Sequence, residues 1–291
     1  MMLSSLFDTG CFAVTGEVGP PKGVDAEEVL NGAKVMAPYV HAVNVTDNQS
    51  AVMRLGSLAV SRMLIEAGIT PVFQLTCRDR NRIALQSDLL SAAALGVENV
   101  LVITGDHMVL GDHPEAKKVF DLDSVQLLAA ASELTRGKDL AGHELDSAPK
   151  FCLGAVVNPG SDDLDAQLIK MEKKIEAGAA YFQTQAVYDA DVFSDFMERA
   201  RNFGAPVMAG IVPLKSAGMA RYMNDNVAGV SVPEDMIERM GETPKADRKK
   251  VSAEMSADLV RRVRDMCQGV HLMPLGWDDI VPEIVKAAEI D

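Results

Sequence analysis

The stretch Val14-Thr15-Gly16-Glu17-Val18-Gly19-Pro20-Pro21-Lys22-Gly23 sets the frame for the chain. An apolar run from Cys11 to Val14 reads as a strand, and the strand ends at a lone carboxylate. Glycines at 16, 19 and 23 surround it and permit a hard turn, and the Pro-Pro pair forbids both helix and ladder. Glu17 therefore stands where a buried strand opens into a loop. A carboxyl group at such a margin suits a general acid, because burial disfavours the charged form. From this stretch alone the plainer reading, a loop glutamate that caps or forms an ion pair, stands ahead of the acid.

Working outward, short β-rich runs alternate with helical patterns. The strands are expected at residues 11–18, 41–46, 70–76, 99–104, 151–157, 181–185, 206–212 and 270–273. Helices are expected at 26–37 with Asp25 as N-cap, 50–67, 81–95, 124–135, 164–177 capped by Asp162 or Asp163, 190–202, 217–224, 233–240, 246–267 and 278–288. The connection from Met108 to Leu122 is the longest, and a loop of that length in a compact enzyme usually serves function. No composition break looks like a linker. Eight strand-then-helix units imply parallel strands with crossover helices. The expected fold is α/β, a single (βα)8 TIM barrel over residues 1–291. The rival, a doubly wound open sheet, would usually carry Gly-x-Gly-x-x-Gly after its first strand, and the sequence has none.

Hydrophobic residues make up 48% of the 291, ample for one large core, and the net charge is −14. That balance argues against a nucleic-acid or anionic-membrane surface. Residues 1–7 lack a charged n-region, so no secretion signal is expected, and no run is long enough for a membrane span. The four cysteines form no Cys-x-x-Cys pair. They read as reduced cytoplasmic thiols packed as small hydrophobes, with no metal site in this chain.

In a barrel, active residues cluster at the C-terminal strand ends. Here those ends carry Glu17, Thr46-Asp47-Asn48, Gln74 with Thr76, Thr104-Gly105-Asp106-His107, Asn158, Gln183 with Gln185, Pro213, and Pro274 with Gly276-Trp277. Two acids and several amides converge, a set suited to hydrogen-bonding a flat heterocycle. Asp106, His107, Asp112 and His113 fall in one loop and lack metal-ligand spacing. Gly-x-Ser-x-Gly is absent, and no strand carries an interior lysine. Lys170, Lys173 and Lys174 are either a solvated helix face or a grip on a pyrophosphate.

The strand-end motifs, taken in order, resemble the methylenetetrahydrofolate reductase family. They are GEVGPP, VNVTDN, FQLTCRD, ITGDH, VVNP, KKIEAGAAYFQTQ, GIVP and GVHLMPLGW, running from about Phe12 to Trp277. The resemblance implies a flavin-dependent barrel enzyme of one-carbon metabolism, oligomeric and cytoplasmic, which reduces 5,10-methylenetetrahydrofolate. It implies that Glu17 is the acid that protonates the folate nitrogen and opens the methylene bridge. Asp106 would lie near flavin and folate and stabilise the cationic iminium. Gln185 would contact folate. Thr46, Gln74, Thr104, Gly105, Asp106, Asn158, Lys170 and Lys174 would bind FAD, the lysines near its pyrophosphate, with Phe120 on the adenine side. The chain also departs from the family pattern. Gln74 stands where a histidine is common, residues 214–219 lack the usual aromatic (Ala217 is roughly in its place), and Gly276-Trp277 replaces a common arginine. These departures resemble anaerobe-type reductases, in which an iron–sulfur/zinc partner subunit delivers the electrons. Two other readings are a flavin-free barrel enzyme performing methyl transfer on a pterin, and a non-catalytic subunit of a redox complex.

Overall fold

The computed structural model describes residues 1–290. Eight parallel strands close into a barrel in sequence order, with β1 hydrogen-bonded to β8. They are β1 (Ala13–Val18), β2 (Ala42–Val45), β3 (Pro71–Thr76), β4 (Asn99–Ile103), β5 (Cys152–Val157), β6 (Tyr181–Ala186), β7 (Val207–Ile211) and β8 (Gly269–Leu272). The helices are α1 (Leu3–Asp8), α2 (Glu27–Met36), α3 (Ser57–Glu66), α4 (Arg82–Ala94), α5 (Ser124–Thr135), α6 (Leu164–Glu176), α7 (Ala190–Ala200), α8 (Ala217–Asn226), α9 (Glu234–Glu242), α10 (Arg248–Val263) and α11 (Ile280–Ala288). This is the (βα)8 TIM barrel that the alternating pattern implies.

Alternation along each strand separates two cores. Val14, Val18, Val43, Val45, Phe73, Leu75, Val100, Val102, Val270 and Leu272 face outward and pack under the helices. Ala13, Ala42, Val72, Leu101, Cys152, Tyr181 and Met208 fill the lower interior, where α1 adds Leu3 and Phe7. Gly154 sits beside Tyr181 in the β5–β6 register, and an added Cβ there would run into the Tyr181 ring. The glycine thus makes room for the largest interior side chain at that end.

Several helix boundaries differ from the sequence reading. The helix expected from residue 50 begins at Ser57, because Asn48, Ser50 and Ala51 all take left-handed backbone. That turn lets the Ser50 N–H donate to Asp106 Oδ2 at 2.9 Å. Asp25 is not the N-cap of α2. Ala26 holds that position, and Asp25 accepts from the Glu27 N–H instead. Asp163, not Asp162, caps α6. The helix expected over 246–267 contracts to α10. Residues 3–8, for which no element is expected from the sequence, form the plug helix α1.

Cys77, Cys152 and Cys267 are buried and free. Burial pushes the Cys77 thiol up to about 12 and the Cys267 thiol to about 11, so both stay protonated and pack as apolar groups. Among the described residues no helix is long and apolar enough to cross a membrane, and no group of three or more His, Cys, Asp or Glu is placed to hold a metal.

Candidate active site

The inward positions become polar toward the C-terminal strand ends. On β1 the inward series runs Ala13, Thr15, Glu17, and on β2 it runs Ala42, Asn44, then Thr46 just past the strand. Above these positions lies a cavity of about 410 Å³. Glu17, Thr46, Gln74, Thr104, Gly105, Asp106, Asn158, Lys170, Lys174 and Gln185 all line it. Phe120 does not. It takes left-handed backbone and packs against the outer core. Its burial there follows from the loop 108–122 folding back, with the Val119 N–H donating to the Arg78 carbonyl.

Glu17 is 8% exposed and lines the cavity wall. Gln74 Nε2 donates to Glu17 Oε2 at 3.0 Å, and His271 Nε2 lies 3.4 Å from the same oxygen. Glu17 and Gln49 also line a second cavity of about 420 Å³, walled by Pro20, Pro21, Arg54, Leu275 and Asp278. The two cavities therefore share Glu17 and Gln49 in their walls.

Asp106 is exposed at the cavity edge, fixed by the Ser50 N–H. Arg78, only 2% exposed, holds that edge from below. Its Nη1 donates to the Asp106 carbonyl and its Nη2 to the Asn48 carbonyl, both at 3.2 Å, while Asp79 pairs with the same guanidinium. Asp47 is also buried. Its Oδ2 accepts from the Thr76 N–H, the Thr76 hydroxyl and Arg80. The long loop is tied down at Asp112, which pairs with Lys22 and accepts from the Met53 N–H. Lys22 and then His113 hold the Asp112 carboxyl well below the usual carboxylate range.

The residues that the resemblance assigns to a flavin carry open valences. Thr46 Oγ1 and Asn158 Oδ1 are buried and lack a hydrogen-bond partner among the described residues. Such atoms cost stability unless a ligand or water satisfies them. Lys170 and Lys174 lie one helical turn apart on α6, and Lys174 is buried with Nζ donating to the Val156 carbonyl at 2.6 Å. Burial, and then the charge of Lys170, lower Lys174 to about 8. Two close cations with one destabilised by the other favour a multivalent anion between them. These features fit a flavin diphosphate. Gln185 Oε1 accepts from the Ala186 N–H, so its amide can offer a ligand its donor end.

The sequence reading gave no role to His271 or Arg78. Both lie inside quoted motifs, GVHLMPLGW and FQLTCRD. Strand parity was the available signal for His271, since it shares the inward side of β8 with Gly269. Nothing local marks Arg78, whose partners Asn48 and Asp106 come from two other loops.

A family model described as methylenetetrahydrofolate reductase matches residues 2–289. Methylenetetrahydrofolate reductase 2 of Schizosaccharomyces pombe is 25% identical over 255 residues, 79% of this chain and 37% of that protein. The 5,10-methylenetetrahydrofolate reductase of Pectobacterium carotovorum is 24% identical over 260 residues, covering 87% of this chain and 81% of that one. The chain thus spans under two-fifths of the yeast relative and about four-fifths of the bacterial one. Among solved structures, an uncharacterized Clostridium thermocellum protein that binds two copies of 5-methyl-5,6,7,8-tetrahydrofolic acid superposes with a TM-score of 0.71. It is 13% identical and covers all of both chains, which is a likeness of fold.

Proposed function

The chain belongs to the methylenetetrahydrofolate reductase family, and from that premise we propose that it reduces 5,10-methylenetetrahydrofolate to 5-methyltetrahydrofolate with bound FAD. The observation that carries the reading is the buried Glu17, which lines two cavities, with Asp106 and Gln185 on the wall of one. Glu17 gives its proton to the bridge nitrogen of the folate, and the methylene bridge opens to an iminium. Asp106, held by Arg78 and Ser50, stabilises that cation across the cavity. Gln185 donates to the pterin and orients it. Lys170 and Lys174 would hold the diphosphate, with Thr46, Gln74, Thr104, Gly105 and Asn158 around the rest of the cofactor. When bound, the flavin supplies the hydride. The second cavity gives the substrate room beyond the carboxyl. Folate as substrate class is also supported by what the Clostridium thermocellum neighbour binds.

Electrons reach the flavin through an iron–sulfur/zinc partner subunit in this reading. Its support is Gln74, the lack of an aromatic over residues 214–219, and Gly276-Trp277. Val24, Met53, Val109 and Leu110 add exposed apolar side chains on loops that Asp112 ties together at the mouth. A cytoplasmic, oligomeric setting belongs to the same reading.

The test is a turnover assay with FAD-loaded chain and reduced methyl viologen as donor. Formation of 5-methyltetrahydrofolate supports the reading; flavin binding with no methylated product contradicts it. NADH mixed anaerobically with the isolated, FAD-loaded chain tests the donor. Slow or absent bleaching is expected, and rapid bleaching would remove the need for a partner.

A further inference from the structure

The segment between α8 and α9 takes no part in the reaction as described, yet it reaches a residue of the cavity wall. The two helices pack over a core of their own, in which Val230 and Val232 are buried with Met223 and Ile237. Asn224 pins the segment to α8. Its Nδ2 donates to the Val232 carbonyl at 3.1 Å, and its Oδ1 accepts from the Val232 N–H at 2.6 Å. The Val230 N–H donates to the Val227 carbonyl at 3.1 Å and closes a turn over residues 227–230.

The tip of that turn meets the loop after β5. Asn158 Nδ2 donates to the Ala228 carbonyl at 2.9 Å. Gly229 has a φ of +73°, and a Cβ added to it would collide with Nδ2, Oδ1 and Cγ of Asn158 together. A Cβ on Gly160 would run into the Gly229 carbonyl. The two loops approach this closely because both positions are glycine.

A carbonyl has no hydrogen to give, so the amino end of the Asn158 amide must face Ala228. Turning the amide over would set two acceptors against each other. Oδ1 is the end left over, a buried atom with no partner among the described residues. Such an acceptor calls for an N–H or O–H from a ligand. Asn158 lines the same cavity as Lys170 and Lys174, and Lys174 Nζ donates to the carbonyl of Val156, two residues before Asn158.

We infer that the turn 227–230 is a positioning element for the cofactor and acts through Asn158. It fixes the amide so that Oδ1 accepts from an N–H or O–H of FAD. The inference rests on the FAD reading, and it makes flavin affinity depend on Gly229 and Asn224, neither of which lines the cavity.

The test is a double-mutant cycle read by flavin fluorescence in FAD titrations. Asn158→Ala should raise the FAD Kd about 3- to 10-fold, the range of one hydrogen bond. Gly229→Ala should raise it by a similar factor in the parent chain. Its effect should shrink below about twofold once Asn158→Ala is present, because the new methyl then displaces nothing that touches the flavin. Asn224→Ala loosens the same turn without adding an atom. It should show the same pattern, and it decides the matter if Gly229→Ala does not fold. A purely structural role would lower the unfolding midpoints and leave the effects on Kd independent of Asn158. Equal effects with and without Asn158, or an unchanged Kd in both turn variants, would overturn the inference alone. A parent chain that binds no FAD would overturn the FAD reading and the inference together.

Discussion

The lower and upper ends of this barrel are built from the same strands, yet they spend their inward positions differently. At the lower end Ala13, Ala42, Val72, Leu101, Cys152, Tyr181 and Met208 pack against Leu3 and Phe7 of the plug helix. At the upper end the same faces present Glu17, Thr46, Gln74 and Gln185, and two buried oxygens there lack partners. Apolar burial at one end stabilises the fold by about 25 cal/mol per Å² removed from water. Unsatisfied polar atoms each cost on the order of 1–3 kcal/mol; the lower end holds one in the Tyr181 hydroxyl, and those at the upper end, Thr46 Oγ1 and Asn158 Oδ1, line a cavity where a ligand can satisfy them. The lower end thus carries stability, and the upper end carries the proposed chemistry. A change confined to one end should leave the other's observable nearly untouched.

Glu17→Gln should break turnover most. The amide keeps shape and hydrogen bonds but has no acidic proton, so kcat should fall about 10²- to 10⁴-fold while FAD still binds. Steady-state kinetics beside an FAD titration checks both halves. Leu3→Ala should do the reverse. Leu3 is fully buried in the plug, and its truncation should cost about 2–5 kcal/mol in a denaturant titration. Activity per folded molecule should hold. A large fall in kcat without loss of stability would erase the division between the two ends. Gly154→Ala is milder, about 1–3 kcal/mol, because the new methyl presses on the Tyr181 ring. A shift in the unfolding midpoint with unchanged FAD affinity is the expected result.

The smallest effect sharpens the upper end. Lys174 is lowered from 10.5 to about 8 by burial and by Lys170. Between about 8 and 10.5 the unfolded chain binds more protons at this residue than the folded chain, so its contribution favours folding as pH rises through that window. A bound diphosphate favours the ammonium and reverses the shift. FAD binding should therefore take up protons near pH 8, and affinity should weaken above it. Calorimetry in buffers of different ionisation enthalpy reads the uptake, and Lys174→Gln should abolish it.

The barrel was legible because eight apolar runs alternate with helical patterns, and parallel closure follows from that alternation. The candidate site's placement was legible where one strand end carries one chemical group, as at Glu17, Asp106 and Asn158, which line one cavity. It was not legible where the geometry depends on contacts across strands. His271 reaches the site only because β8 closes on β1 and sets it beside Thr15 and Glu17. Arg78 braces the edge because two loops lend it their carbonyls. The left-handed run at Asn48, Ser50 and Ala51 cut short a helix that hydrophobic periodicity extended, since nothing local reveals that Ser50 serves Asp106.

The central claim is that a proton from Glu17 opens the substrate for reduction at this cavity. The most direct measurement is a single turnover without oxygen. FAD-loaded chain is photoreduced, mixed with 5,10-methylenetetrahydrofolate, and followed by flavin absorbance, with Glu17→Gln run in parallel. Return of the oxidised flavin spectrum with one equivalent of 5-methyltetrahydrofolate, and no such return in the variant, is the predicted result. Equal reoxidation rates in the two proteins would contradict it.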